Sequence, residues 1–174
     1  MRKCFFIFLF AFISLQMSAQ VKFGYLSYDS LLYSMPEYVK AQQDLAALKK
    51  TYDAEMKRSE DNFNQQFMEF IDGQNSFPEN ILLKRQKELQ QLMEESLKFK
   101  EEAQRLLSKA EEELMVPIRN KLNDAISKVG LECGYAFVIN TDSNAYPFIS
   151  SDMGVGIADK VKAVLEGKPT PITE

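Results

Sequence analysis

Ser34-Met35-Pro36-Glu37 and Ser76-Phe77-Pro78-Glu79 are two copies of one pattern, and their reading decides the fold. Each reads as a capping box with proline in the first helical turn. The serine oxygen accepts from an orphan N–H of that turn, and the glutamate three residues on reaches back to the serine N–H. Proline fits there because its missing N–H would have been unpaired anyway. Two such starts, each followed by a long charged and apolar run, predict two consecutive helices and hence a long helical hairpin.

The first helix is expected over Pro36 to Ile71. Its apolar residues step by three and four: Ala41, Leu45, Leu48, Tyr52, Met56, Phe63, Phe67 and Phe70, with Ser59 as a polar gap. Such a narrow stripe is a seam against one partner helix and not one face of a broad core. Asp72-Gly73-Gln74-Asn75 supplies the turn. The second helix is expected over Phe77 to Val129, striped by Leu82, Leu89, Leu92/Met93, Phe99, Ala103, Leu106, Ala110, Leu114, Ile118, Leu122, Ala125/Ile126 and Val129. Gln86 and Ser96 interrupt it. An antiparallel return matched to the first helix ends near Leu114, so the remaining turns dock elsewhere. Pro117 falls at that point, where it removes one backbone bond and crowds the preceding turn, and it reads as the joint between arm and body. Gly130 is the expected C-cap.

The segments outside the hairpin form the rest. Val21 to Tyr28 alternates like a strand, with Val21, Phe23 and Tyr25 on one face. Asp29 to Tyr33 makes a short helical turn, and Tyr33 and Tyr38 take the positions of a hydrophobic staple. Tyr135 to Asn140 is a second strand candidate, 141–144 a turn, and Ala145 to Ile149 a third strand held to an edge by Pro147. Ile157 to Glu166 is a short amphipathic helix stopped by Gly167 and Pro169. The fold class is therefore α+β. A small β-rich body (20–35 and 115–174) carries an inserted antiparallel helical hairpin (36–114) whose tip is 71–78. Phe23, Tyr25, Phe137, Ile139, Phe148, Val161 and Leu165 are the body-core and subunit-contact candidates. About three strands and a two-helix arm make thin cores, which argues for completion by oligomerisation.

Residues 1–19 read as an export signal: Arg2 and Lys3, an unbroken apolar run Cys4–Ile13, then Met17-Ser18-Ala19 as a cleavage site. The run is shorter than the roughly 20 residues that a membrane-spanning helix needs. Cleavage near Ala19 takes two bases and no acid, so a formal charge of −4 becomes −6. It leaves one cysteine, Cys133, which reads as a small buried hydrophobe and cannot form an internal disulfide.

The chain has no histidine, which removes the commonest general base and the commonest metal ligand. It has no Gly-rich phosphate loop and no paired-cysteine motif. Runs such as Glu111-Glu112-Glu113 read as a solvated helix face. These features argue against an enzyme, a cofactor or a metal site, and the acidic balance argues against nucleic acid.

An export signal, a strand, a long charged hairpin, Gly-Tyr-Ala-Phe-Val-Ile-Asn at 134–140, Ala-Tyr-Pro-Phe-Ile at 145–149 and a short terminal helix with Ile157-Ala158-Asp159-Lys160-Val161 follow in order. In this order the chain resembles the Skp/OmpH family of periplasmic chaperones. The resemblance implies a periplasmic homotrimer, with bodies joined in a hub and arms around a cavity. That cavity would hold unfolded outer-membrane proteins without ATP or cofactor. Two departures stand out. Familiar members have basic arm tips, whereas Lys57 to Lys87 carries five bases and five acids here, so membrane contact through the tip is expected to be weak. The family's terminal helix often begins Asp-Ile-Thr-Asp, whereas this one begins Gly156-Ile157-Ala158-Asp159, which softens that start. In place of charge the arm end carries Phe63, Phe67, Met68, Ile71 and Phe77 as client-contact candidates. Met68 lies roughly 140° from Phe63, off the seam, and methionine is adaptable. The alternative to a holdase is a coiled-coil scaffold or spacer of the envelope without clients. That role suits a filled seam and a rigid rod, whereas the polar gaps and Pro117 favour the cage.

Overall fold

The computed structural model describes residues 21–143 and 145–169. The expected signal segment 1–19 and the tail from 170 lie outside them. Seven elements follow in order: β1 (Phe23–Leu26), α1 (Tyr28–Ser34), α2 (Pro36–Gly73), α3 (Glu79–Glu132), β2 (Val138–Asn140), β3 (Gly154–Gly156) and α4 (Ala158–Leu165). The described chain divides into two compact units, residues 21–31 with 122–169, and residues 32–121.

The second unit is the helical hairpin. Its α2 has 38 residues, a rod of about 57 Å at 1.5 Å per residue. Antiparallel pairing shows at two levels. Near the open end Glu37 forms an ion pair with Lys121. Midway the rings of Tyr52 and Phe99 lie 6.1 Å apart. Ala41 and Ala103 are buried in the seam and Leu45, Leu48 and Leu106 are half-buried, the pattern of a single stripe. The charges lie outside, paired within each helix at three- or four-residue spacing, as in Lys57–Asp61, Arg58–Glu55 and Arg105–Glu102. Such exposed pairs contribute only tenths of a kcal/mol each.

Both helix starts differ from the capping-box reading. Met35 is the N-cap of α2 and Pro36 occupies its first turn, while Ser34 is the last residue of α1. Glu37 reaches across to Lys121 instead of back to the serine. At the tip the Ser76 hydroxyl donates to the carbonyl of Gly73 at 2.8 Å, and the Ser76 N–H donates to the same oxygen at 2.9 Å. Ser76 thus closes the end of α2. The first helical bond of α3 is accepted by the Pro78 carbonyl from Leu82. The Tyr33 and Tyr38 rings do meet, 5.1 Å apart, although with Met35 as N-cap they are not the staple positions. Pro117 does not break α3, and Gly130 does not end it. The helix continues to Glu132 and closes on Gly134 at φ +66°. There Tyr135 N–H donates to Gly130 O and Gly134 N–H to Leu131 O, the paired bonds of a Schellman motif. The same motif ends α4, where Lys168 N–H donates to Ala163 O and Gly167 N–H to Val164 O.

The other unit is built on a three-stranded parallel sheet in the order β2-β1-β3. Tyr25 stands opposite Ile139 on one side and Gly156 on the other. Parallel neighbours need long connections, and the hairpin itself is the connection from β1 to β2. The third strand is not 145–149, as the sequence suggests, but 154–156. Pro147 cannot donate to a ladder, and Tyr146 and Phe148 are exposed. Gly154 instead lies where an added Cβ would stand 2.6 Å from Ile149 and 2.9 Å from the Phe23 ring. Tight approach, not β-propensity, selects this strand.

The deeper face of β1 is that of Gly24 and Leu26. A Cβ at Gly24 would stand 3.0 Å from Ile157, so the glycine admits that fully buried side chain. On the other face Phe23 stacks on Phe137 at 5.3 Å. Leu122, Val129, Ile157 and Val161 are the most deeply buried side chains. The start of α1 is tied to the end of β2: Tyr28 N–H donates to Asn140 Oδ1 at 3.3 Å and Asp29 N–H to Asp142 Oδ2 at 2.8 Å. Ser27 caps the same turn from Ser30 N–H at 3.1 Å. These acceptors satisfy orphan donors of the helix. They hold the Asp142 carboxyl below the ordinary aspartate range, chiefly through the Ser27 hydroxyl and then the Asp29 N–H.

Candidate functional site

A charged hairpin with a narrow seam leaves most of its circumference to solvent, so apolar residues off the seam are the informative ones. Near the tip Phe67, Met68 and Ile71 are exposed on α2. Met68 is the most open at 59 %. Phe63 and Phe77 are half-buried. Phe63 stacks on Phe67 at 6.0 Å, which ties one exposed ring to the seam. The Phe77 ring lies over Gly73, so close that a Cβ there would stand 2.3 Å from Cζ. Phe77 therefore seals the turn.

The exposed apolar surface extends beyond the residues singled out in the sequence. On α3 Ile81, Leu83, Met93 and Leu97 are exposed, Leu83 at 58 % and Leu97 at 56 %. The signal for two of them was present. Leu83 follows the seam residue Leu82, and Leu97 follows the seam gap Ser96, so each lies roughly 100° round the helix. Isolated exposed apolar residues are ordinary; here seven fall between residues 67 and 97 of one hairpin. Among the described residues no three acids and cysteines converge as a metal site.

A polar notch of about 260 Å³ interrupts the seam below the tip, lined by Gln66, Arg85, Glu88, Gln91, Leu92 and Glu95. One Glu88 oxygen is buried there without a hydrogen bond among the described residues, with Arg85 Nη1 at 3.6 Å. Five of its six lining residues are polar or charged, and Leu92 alone comes from the apolar stripe.

The sheet-bearing unit has its own exposed apolar surface. Phe137 and Phe148 are exposed, the latter at 83 %, with Leu131, Tyr146 and Met153. Phe23, Tyr25, Ile139 and Leu165 are half-buried and Val161 is buried. Both β2 and β3 are edge strands. Cys133 is half-buried with Lys160 Nζ at 3.7 Å from its sulfur. Burial raises the neighbouring Tyr135 hydroxyl above its ordinary pKa, and Lys160 opposes that rise. No helix among the described residues is long and apolar enough to cross a membrane.

Comparison with known proteins adds to this geometry. A family model described as outer membrane protein (OmpH-like) matches residues 22–165. No curated protein matches the chain. Among solved structures, a candidate outer membrane chaperone (OmpH-like) from Caulobacter crescentus CB15 superposes with a TM-score of 0.69 at 14 % identity, covering 89 % of this chain and 88 % of that one. At that identity the likeness is one of fold.

Proposed function

The chain belongs to the OmpH-like family, and from that premise we propose that it is a periplasmic, ATP-independent holdase for unfolded outer-membrane proteins. In this reading residues 1–19 direct export and are removed near Ala19. The sheet-bearing units of three chains join through Phe137, Phe148 and their edge strands, and three hairpin arms enclose the client. The observation that carries the reading is the off-seam apolar surface of the distal hairpin, with Met68, Leu83 and Leu97 each more than half exposed.

The physics of the task suits that surface. An unfolded β-barrel chain presents alternating apolar residues and unpaired strand edges. Many weak contacts with adaptable side chains hold such a chain without fixing its conformation. Enclosure keeps it from other clients. Nothing in this task needs a cofactor or a covalent step. The equal count of acids and bases over Lys57 to Lys87 supports capture by apolar contact over capture by a basic patch. A rigid client-free spacer is less well supported, because a spacer gains nothing from a notched seam or from exposed leucines.

The test is suppression of aggregation. A urea-unfolded outer-membrane β-barrel protein diluted into buffer scatters light as it aggregates. The mature chain, at three protomers per client, is expected to abolish the scattering without nucleotide. Unchanged scattering at any ratio would return the reading to the spacer.

A further inference from the structure

At the open end of the hairpin, α2 and α3 leave a groove of about 370 Å³ between them. Its floor is apolar: Ala41, Leu114, Pro117 and Ile118. Ala41 and Ile118 are themselves buried. The groove exists because position 41 is alanine, where the following seam positions are Leu45 and Leu48. A leucine at 41 would fill it. Its rim carries two ion pairs. Lys40 and Asp44 pair along α2 at 2.9 Å, and Glu37 pairs with Lys121 across to α3. All four side chains are about half exposed or more.

We propose that this groove is a subsite for one apolar side chain of an extended client segment. The proposal rests on the holdase reading and names a second place, away from the tip, where the hairpin grips. The size is at the small end of pockets that enclose a ligand, enough for one large side chain. The rim decides the kind of occupant. An extended polypeptide carries unpaired N–H donors and C=O acceptors on both sides of each residue. The rim offers two carboxylates to accept from the N–H groups and two ammonium groups to donate to the carbonyls. A fatty chain with an anionic headgroup would call for cations alone. The equal signs therefore match a neutral backbone, and the apolar floor matches the side chain that enters.

The experiment uses the full mature chain with isoleucine δ1-methyl labelling and a urea-unfolded β-barrel protein as probe. The Ile118 methyl signal is expected to shift and saturate with the client. Ala41→Leu, which fills the groove, is expected to weaken client binding about tenfold, the loss of one buried apolar side chain. Helicity should stay intact, and Ala41→Ser should bind as the parent does. An unmoved Ile118 signal in a chain that binds client overturns the subsite and leaves the holdase reading standing, as does wild-type affinity in a folded Ala41→Leu. A parent chain that binds no client removes the holdase reading itself. Phosphocholine micelles provide the lipid arm: a shift of Ile118 by micelles and not by client would overturn the polypeptide assignment.

Discussion

Gly154→Ala and Gly156→Ala form a matched pair in one three-residue strand, and their difference tests the sheet. At Gly154 the added methyl would stand 2.6 Å from Ile149 Cγ2 and 2.9 Å from the Phe23 ring. Both distances are below any ordinary carbon contact, and the flanking Phe23 is held by its stack on Phe137. Overpacking of this kind costs about 1–3 kcal/mol. At Gly156 the nearest atoms belong to the Tyr25 ring at 3.6 Å, which is normal contact. Neither glycine has a positive φ, so both substitutions gain about 0.4–1 kcal/mol by restricting the unfolded chain. The net expectation is a loss of up to about 2.6 kcal/mol for Gly154→Ala and a small gain for Gly156→Ala, so the two should differ by about 1–3 kcal/mol. In a chain of this size each kcal/mol moves Tm by about 2–4 °C. Urea unfolding followed by far-ultraviolet circular dichroism measures the difference. Both variants are held at one chain concentration, because oligomer stability depends on it. If Gly154→Ala is as stable as Gly156→Ala, β3 does not lie where these contacts place it, and the sheet pairing is wrong.

Three further outcomes follow from named contacts. Replacing Phe67, Met68 and Ile71 together with serine should raise the amount of chaperone needed to suppress aggregation several-fold while leaving helicity unchanged; full activity in that variant would move client contact away from the tip. Asp142→Ala should destabilise the chain at neutral pH. Because the folded pKa of Asp142 lies below its unfolded value, its contribution is present above about pH 4 and fades as pH falls through the folded value. The gap between variant and parent should therefore close in acid, and a gap constant down to pH 2 would exclude the carboxylate as its cause. Lys121→Met should cost no more than about 1 kcal/mol, since both partners of the pair with Glu37 are roughly half exposed. It should also raise the Glu37 carboxyl, now held low chiefly by its hydrogen bond from Lys121 and then by its own backbone N–H, toward the ordinary range in a carbon-detected titration.

The helical hairpin was readable in the sequence because it rests on periodicity. Steps of three and four over 38 and 54 residues are a redundant signal, and one misplaced cap does not shift them. The caps themselves were not readable. The pattern serine, any residue, proline, glutamate is compatible with a serine that starts the next helix and with one that closes the last. At Ser76 the Gly73 carbonyl takes the hydroxyl; at position 37 an opposed lysine 84 residues away takes the glutamate. The first partner is local but fits either reading of the serine, and the second lies on the other helix, outside the local sequence. The third strand was missed for a similar reason. Tyr146-Pro147-Phe148-Ile149 has the stronger β-propensity, yet the place beside Phe23 admits only a residue without a side chain. Of the candidate surface, Met68 was legible from its angle to the seam and Ile71 from its place at the arm end. Leu83 and Leu97 carried an angular signal of the same kind, each one position past the stripe, whereas the groove at Ala41 was hidden because a small residue in a stripe looks like any other core alanine.

The central claim is that this chain works as a client-holding assembly, and a mass measurement tests it most directly. The mature protein is weighed in solution by light scattering or native mass spectrometry, alone and with an unfolded outer-membrane β-barrel protein. The account predicts a particle of three chains that gains one client chain and keeps its three protomers. A single chain, or an assembly whose mass does not change with client present, would contradict it.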